Sequence, residues 1–349
     1  MIKNMQLLVY VLIFEAIFGY CSIKSQEVWT HLFRKIISGE EAYTYAQRSE
    51  LIFSRHATPL FNQLIFSWNA FRPTEGHFSF FVQVRDARTK KWCKWHAMAD
   101  WGVALQRSYF NSHSDGTAYH HVRLEVPLKT MSDAFRIKAV AHQGASLGQL
   151  KALIVNIANF NNFKVLDNCS EIDDLSLPSI IISRVPCQSQ MILDHVRAEH
   201  MCSPTALSML LGFIQMQPVD ALATALKVYD AGLDTFGSWP FNIAHAFDVC
   251  KGAFLFYTAR LHSFPSLHTF LMRKIPVIVS VRGPLLGGAR EYAHGHLVLV
   301  VGWNAQSQEV ICHDPAFESS NNVIVSYKIK DFCAAWARSH NLAYIAEIY

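Results

Sequence analysis

Three residues of this chain carry the side chains of a thiol-based acyl-transfer site, in the order Cys202, His296 and Asp314. A thiol attacks a carbonyl carbon as its thiolate, so it needs a base within reach and surroundings that lower its pKa. An imidazole meets that need because it takes the thiol proton and later protonates the leaving group. A carboxylate beside the ring would hold it in the orientation that this chemistry requires.

The residues around Cys202 predict the N-terminus of a buried helix. Pro204 and Thr205 suit a first helical turn, and apolar residues then recur at helical spacing toward Pro218. The free amides and the positive dipole end at such a terminus favour a thiolate by roughly 0.3–1 kcal/mol, or about 2 kcal/mol when partly buried. The same amides can hold a developing oxyanion. Because a helix end alone is too weak, His296 must supply the remaining activation.

His296 begins an apolar, β-branched run, residues 297–301, that predicts a buried strand. A turn-like segment at 302–308 follows, and a second predicted strand at 310–312 leads to Asp314. An antiparallel hairpin of these strands would bring Asp314 beside the start of the His296 strand, where it could orient the ring. The alternative is that His296 only begins a core strand and that Asp314 belongs to a turn.

Two segments are predicted as loops that could shape access to this site. Residues 237–242 combine glycine, serine and proline, and within them Gly237 and Trp239 are candidate substrate-binding residues. A structural alternative makes Trp239 an aromatic lid over the core, since aromatic side chains contribute mostly by burial. Residues 282–293, rich in glycine and without apolar periodicity, could gate access to His296 or simply connect strands.

Residues 181–349 resemble a known family at several motifs beyond these three side chains. The motifs are Val185-Pro186 with a nearby glutamine, Cys202-Ser203-Pro204-Thr205, Gly237-Ser238-Trp239-Pro240-Phe241-Asn242, Ile275-Pro276-Val277-Ile278-Val279-Ser280, Gly295-His296-Leu297-Val298 and His313-Asp314-Pro315-Ala316. They resemble the bacteriocin-processing (double-glycine leader) peptidase-like family of papain-fold cysteine peptidases, especially its secreted bacterial branch. The resemblance implies an α+β papain-like cysteine peptidase domain at residues 183–349.

The resemblance also implies a role for each candidate residue. Cys202 would be the nucleophile, His296 the general base and acid, and Asp314 the orienting group. The Gln190 side chain would donate to the oxyanion, with Gln188 as the alternative because both follow the Val-Pro motif. No cofactor is expected, and no metal site either, because the histidines lack a paired Cys-x-x-Cys or His-Glu-x-x-His arrangement.

Three departures from the family pattern leave the shape of the pocket open. The connection 191–201 is longer than usual, Met201 stands where close relatives often carry tryptophan, and Ser203 stands where many papain-like enzymes have glycine. None of these changes removes a reacting group. The same fold can also host an amidase, an acyl transferase or a non-catalytic binding protein in which Cys202 is merely structural.

The first half of the chain has a different pattern. From about residue 61 to residue 158, apolar residues alternate with period two in runs separated by polar breaks, which predicts an antiparallel β-sandwich. Residues 66–70 and 91–95 are similar to the β-sandwich that precedes the peptidase-like domain in the same secreted branch. We therefore predict a β-sandwich domain at 45–165 and a linker at 166–182.

Four tryptophans in this half admit two interpretations. Trp68, Trp92, Trp95 and Trp101 could form a stacking platform for a glycan or cell-wall ligand. Alternatively they pack the sandwich, because tryptophan is highly buried on average.

The N-terminal residues 1–22 predict a signal peptide. Lys3 is followed by a mostly apolar stretch at 7–18 and then by small or polar residues. The stretch is short for a spanning helix, which needs about 20 apolar residues, so no stable membrane insertion is expected. The favoured location is the periplasm or outside the cell, with an uncleaved anchor as the alternative. Cleavage would remove Cys21 and leave an odd number of cysteines, of which Cys202 is the natural unpaired thiol.

Composition sets the remaining limits. The chain has 349 residues, of which 51% are hydrophobic and 17% charged, as expected for a globular protein with large cores. A net charge of +4 without blocks of like charge gives little reason to expect a nucleic-acid partner. The sequence as a whole predicts an exported two-domain cysteine peptidase that hydrolyses peptide or related amide bonds in a peptide or protein substrate.

Overall fold

The structure of the protein is a computed structural model that describes residues 28–127, 130–164 and 176–348. This part of the chain is mixed α/β, with six α-helices and three antiparallel sheets. The predicted signal peptide and most of the predicted linker lie outside the described residues. Within the described ranges, no helix has the length and apolar character needed to cross a bilayer.

Two of the sheets are built from the first half of the chain. One has the strand order β1-β11-β3-β9-β8-β7 and the other has the order β2-β10-β4-β5-β6. The elements are β1 Thr30–Ile36, α1 Gly39–Ala46, β2 Glu50–Arg55, β3 Gln63–Ala70, β4 His77–Asp86, β5 His96–Gly102, β6 Gln106–Ser108, β7 Asn111–Ser112, β8 Ala118–His120, β9 Arg123–Glu125, β10 Ser132–His142 and β11 Leu150–Ala158.

These two sheets share one hydrophobic core. Alternate residues of each strand point into it because side chains on a strand alternate between faces, and the rings of Trp68 on β3 and Phe80 on β4 stack with centroids 4.3 Å apart. Trp68 and Trp101 are completely buried, so neither presents a face to solvent. Of the two interpretations, a platform made of all four tryptophans is therefore not formed, and Trp68 and Trp101 pack the core. Cationic side chains cover the other two, with Arg136 over Trp92 and Lys138 over Trp95.

The second half of the chain forms a seven-stranded sheet flanked by helices. Its strand order is β13-β18-β14-β15-β16-β17, and the short strand β12 pairs with β15. The elements are β12 Ile180–Ile181, α2 Cys202–Gln215, α3 Ala221–Val228, α4 Trp239–Val249, β13 Phe254–Arg260, α5 Phe264–Met272, β14 Val277–Gly283, β15 Tyr292–Asn304, β16 Glu309–His313, β17 Ile324–Lys328, α6 Ile329–Ala337 and β18 Leu342–Ile348.

In this half, one loop prediction was wrong and the bounds of a second were too wide. Residues 237–242 are not a loop, because helix α4 begins at Trp239 with Pro240 in its first turn, where a missing amide hydrogen costs nothing. The loop predicted at 282–293 is shorter, because β14 continues to Gly283 and β15 begins at Tyr292. Glycine and charged residues at both ends of this hairpin hide its strand character from sequence patterns.

The two halves join through the edge strand β13. An edge strand carries unpaired backbone groups that must be satisfied when buried. Asn69 on β3 satisfies two of them, because its Nδ2 donates to the Phe256 carbonyl at 2.6 Å and its Oδ1 accepts from the Phe256 amide at 2.8 Å. Asn156 on β11 accepts from the Arg260 amide at 3.0 Å. Polar positions of the first sheet thus cover the edge of the second.

Candidate active site

Cys202 begins helix α2, directly after the 3-10 turn Ala198–His200 and Met201. The Cys202 side chain is partly exposed although it is closely surrounded by protein atoms, whereas Ser203 behind it is completely buried. The backbone amides of Ser203 and Leu297 face the thiol and lower its pKa. The thiol therefore has backbone donors from the helix start on one side and from the His296 strand on the other.

The surroundings of Cys202 lower its pKa. Burial raises the pKa of the thiol, but hydrogen bonding to His296, the charge of that ring and the two backbone amides outweigh burial. The net effect favours the thiolate. A cysteine with partial exposure and a depressed pKa has the two properties of a reactive thiol.

His296 links the thiol to Asp314. The Nε2 atom of His296 lies 2.6 Å from Oδ1 of Asp314, and both side chains are buried, with 3% and 0% of their surface exposed. Since Nε2 is bound to the carboxylate, Nδ1 is the ring nitrogen that remains for Cys202. Burial lowers the pKa of His296, but the charge and hydrogen bond of Asp314 reverse that effect and raise the pKa to about 9. The ring is thus held as an imidazolium beside a thiolate.

Asp314 is buried without being isolated, because four donors surround it. His296 and the Ala316 amide donate to Oδ1, while the hydroxyls of Tyr292 and Tyr327 each donate to Oδ2 at 2.6 Å. Burial raises the pKa of Asp314, but the His296 charge and these hydrogen bonds lower it to about 2. The carboxylate stays ionised and fixed in position.

Tyr292 and Tyr327 were missed by the sequence interpretation. Tyr292 lies four residues before His296 on β15, so both side chains project from the same face of the strand. Tyr327 comes from β17, whose residue Val325 pairs with Cys312 on β16. The even spacing of Tyr292 and His296 was a usable signal, but nothing local connects Tyr327 to Asp314.

Gly295 fixes the backbone just before His296. Its φ is +92°, a conformation that residues with a Cβ rarely adopt. A Cβ at this position would meet no atom closer than 4.0 Å, so the requirement for glycine is conformational rather than steric. The sharp backbone step between Tyr292 and His296 therefore depends on Gly295.

The structure separates the two candidate glutamines. Gln190 is completely buried next to the Cys202 segment, where its Nε2 donates to the carbonyls of Ala198 at 3.2 Å and Glu199 at 2.7 Å. Gln188 instead donates to the Val219 carbonyl at 3.0 Å, beyond the far end of helix α2. Gln190 thus contacts the turn that precedes Cys202, and both of its amide hydrogens are engaged there.

Of the two candidate substrate-binding residues, Trp239 lines a cavity and Gly237 does not. The cavity has a volume of about 560 Å³ and also contacts His294 and Gly295, next to His296. Trp239 is half-buried, with its backbone at the start of α4. Trp239 thus packs against the core of the second half and also forms part of the cavity wall.

A second cysteine–histidine contact shows what an unactivated thiol looks like in the same protein. The Cys187 sulfur lies 3.9 Å from Nδ1 of His313, but that nitrogen also lies 3.0 Å from the Pro186 carbonyl, to which it donates. Burial raises the pKa of Cys187 and lowers that of His313. A histidine nearby is therefore not sufficient to lower the pKa of a thiol.

Comparisons with known proteins point to one family for the second half of the chain. Residues 182–344 match the model of the Peptidase_C39 like family, and no curated protein matches the chain. A solved structure described as a C39-like peptidase from Bacillus anthracis is 18% identical, covers 50% of this chain and 98% of its own, and has a TM-score of 0.39. Xylellain, a cysteine protease from Xylella fastidiosa, is 12% identical, covers 52% of this chain and 89% of its own, and has a TM-score of 0.31. The range that contains Gln190, Cys202, His296 and Asp314 is therefore similar to the Peptidase_C39 like family.

Proposed function

We propose that this protein is a cysteine peptidase that hydrolyses peptide or related amide bonds with Cys202 as nucleophile. The observation that carries the proposal is the buried His296–Asp314 pair, 2.6 Å apart, beside Cys202 at the start of α2. In this setting the pKa of the Cys202 thiol is lowered and that of His296 is raised. Such a pair rests as thiolate and imidazolium, which is the state ready for attack. The family match over residues 182–344 supports the same conclusion.

In the acylation step, the Cys202 thiolate attacks the carbonyl carbon and the carbonyl electron pair moves to oxygen. His296 then donates its Nδ1 proton to the amide nitrogen, the carbon–nitrogen bond breaks, and the amine product leaves. The peptide remains as a thioester on Cys202. Asp314 keeps the ring oriented through the 2.6 Å bond and stabilises its positive charge until the proton is transferred.

In the deacylation step, the neutral His296 takes a proton from water while the water oxygen attacks the thioester carbon. Collapse of the tetrahedral intermediate breaks the carbon–sulfur bond, releases the acid and regenerates the thiolate. The same ring therefore acts first as an acid and then as a base, which requires that Nδ1 face both the leaving group and the incoming water.

The backbone amides at the start of α2 are the proposed main donors to the oxyanion, because helix N-termini present free N–H groups and positive potential. Gln190 would join them only by exchanging one of its two backbone acceptors, and the Ala198 carbonyl at 3.2 Å is the more weakly held. The charged-then-apolar sequence of residues 1–22 supports export to the periplasm or beyond as the site of this activity.

The test is cleavage of a tryptic peptide mixture followed by mass spectrometry. Hydrolysis adds one water across each cut bond, whereas acyl transfer joins the new carboxyl end to an amine, so product masses separate the two reactions. We expect water-containing products with the wild type, none with Cys202→Ala, and unchanged products with the matched control Cys187→Ala. Full cleavage by Cys202→Ala would contradict the proposal.

A further inference from the structure

The 560 Å³ cavity is lined by residues from both halves of the protein. Residues from β9, including Arg123 and Glu125, form one side, and residues from the second half, including Arg260, form the other. His294 and Gly295, which line the cavity, directly precede His296 on β15. The cavity therefore adjoins the strand that carries the proposed general base.

The cavity is lined by a buried guanidinium that forms no ion pair with a described carboxylate, although the charge of Glu125 acts on it. Arg260 is only 5% exposed. Its Nε and Nη2 donate to the Gln63 side-chain oxygen at 2.9 Å and 2.5 Å, and its Nη1 donates to the carbonyls of Ser339 and His340 at 2.8 Å each, which leaves one Nη2 hydrogen for a ligand. All of these acceptors are neutral, and among the described residues no carboxylate pairs with Arg260. Burying a cation without a partner is costly, so such an arrangement is well suited to an anion that arrives with a ligand.

Two further arginines at the rim of the cavity also lack a carboxylate partner within the described parts of the chain. Arg282 Nε donates to the Ala293 carbonyl at 3.1 Å, and Arg338 donates to the Arg282 carbonyl at 3.3 Å. Both side chains are exposed, so they keep free donors. Guanidinium groups with free donors bind carboxylates through paired hydrogen bonds.

Glu125 does not neutralise this cluster. It is the single acid among the described residues that line the cavity, and it is already bound to Arg123 at 2.7 Å and to His120 at 2.9 Å. The positive potential also acts on His340, whose pKa falls to about 4 through burial and through the charges of Arg260 and Arg123. The cavity thus carries an excess of positive charge.

We propose that this cavity binds a carboxylate of the substrate, with Arg260 at its floor and Arg282 and Arg338 at its rim. The carboxylate belongs to an acidic side chain or to the C-terminus of the peptide. This inference rests on the proposed peptidase function only because it identifies the ligand as a substrate. Binding itself does not require a reactive Cys202.

The test measures binding to the Cys202→Ala protein by isothermal titration calorimetry at low ionic strength. The first probe is the peptide Ala-Glu-Ala-Glu-Ala-Glu, acetylated and amidated, and the second is its glutamine counterpart with the same caps. A third probe, the glutamine peptide with a free C-terminus, distinguishes a terminal carboxylate from acidic side chains. We expect the glutamate peptide or the free-terminus peptide to bind at least about tenfold more tightly than the capped glutamine peptide, as charge-assisted hydrogen bonds require.

Variants at the rim assign the binding to this cavity. Arg282→Gln and Arg338→Gln should each lower the affinity for the preferred probe by about threefold to tenfold. Both variants should fold because the two side chains are exposed. Arg88→Gln removes the same charge from an exposed turn outside the cavity and should leave affinity unchanged. Equal affinity for all three probes, no binding of any probe, or equal effects of Arg88→Gln and the rim variants would overturn the proposal.

Failure of carboxylate binding can be distinguished from failure of the proposed peptidase function. In the background that retains Cys202, alkylation of the thiol by iodoacetamide reports the reactivity of Cys202 independently of carboxylate binding, and Arg88→Gln should leave its rate at the wild-type value. If the thiol is reactive but the cavity binds no carboxylate, only the proposed carboxylate site is contradicted. An unreactive thiol in a protein that binds the acidic probe contradicts only the peptidase function.

Discussion

The ring of Tyr292 stacks on the ring of His296, with centroids 4.2 Å apart and planes inclined by only 15°. The Tyr292 hydroxyl donates to Oδ2 of Asp314 while His296 occupies Oδ1. Tyr292 therefore contacts both partners of the ion pair. Its ring restrains the imidazole by stacking, and its hydroxyl restrains the carboxylate by a hydrogen bond.

The Tyr292 contact predicts a graded effect of substitution. Tyr292→Phe keeps the stacked ring but loses one charge-assisted hydrogen bond, so we expect alkylation of Cys202 to slow by about threefold to tenfold. Tyr327→Phe loses an equivalent bond without touching the ring and serves as the matched control. Alkylation of Cys202 should be slower still in Tyr292→Leu, because the imidazole of His296 is then free to rotate. A Tyr292→Leu variant as fast as Tyr327→Phe would show that stacking has no role.

Gly295→Ala tests whether the backbone step before His296 matters. At φ +92° alanine is strained, which we expect to cost about 1–3 kcal/mol or to displace His296. Alkylation should fall by at least about tenfold if the ring moves by even a fraction of its hydrogen-bond length. Gly237→Ala is the control, since its Cβ would lie in ordinary contact, 3.6 Å from the Thr235 hydroxyl. Wild-type reactivity and melting temperature for Gly295→Ala would exclude the predicted role.

Asn69→Ala tests the junction between the halves. The substitution leaves the Phe256 amide and carbonyl buried without partners, which should lower the free energy of unfolding by about 2–4 kcal/mol. Asn161→Ala, at an exposed position, should change it by less than about 0.5 kcal/mol. Urea denaturation followed by tryptophan fluorescence measures both values. Equal stability of the two variants would mean that the edge of β13 does not need Asn69.

The pKa of Asp314 predicts a pH dependence of stability. Its pKa is about 2 in the folded protein, below the ordinary value of about 3.9, so the unfolded chain binds the proton first. The resulting stabilisation, about 2 kcal/mol, is present above pH ~4 and is lost as the pH falls through about 2. Asp314→Asn lacks this contribution at every pH. The difference in urea midpoint between wild type and Asp314→Asn should therefore shrink from pH 5 to pH 2.5, and a constant difference would contradict the assignment.

The parts of the site that could be predicted from sequence are those with strong local signals. Pro204 and Thr205 indicate a helix start directly after Cys202, and the structure begins α2 at Cys202. The apolar runs after His296 and before Asp314 form the strands β15 and β16, which pair antiparallel. The proline that marks the first turn of α4 was an equally local signal, and its presence next to glycine and serine led to the wrong prediction of a loop at 237–242.

The remaining features depend on contacts between distant segments. Asn69 alternates with core residues on β3 and therefore looks like a solvent-facing position, yet it is completely buried against β13. The Arg260 guanidinium lies in the cavity only because β13 is placed between the halves. Tyr327 reaches Asp314 through the pairing of β16 with β17. Patterns with period two or 3.6 describe one element at a time, so they contain no information on such pairs.

Activation of the Cys202 thiol is measured by the pH dependence of its alkylation by iodoacetamide, followed by peptide mass spectrometry with Cys187 as the internal control. A free thiol titrates near pH ~8.5, whereas a thiolate paired with His296 should react rapidly at pH 6–7. We predict rapid reaction of Cys202 at that pH, slow reaction of Cys187, and loss of the Cys202 advantage in His296→Ala. Ordinary reactivity of Cys202 that His296→Ala leaves unchanged would contradict the central claim.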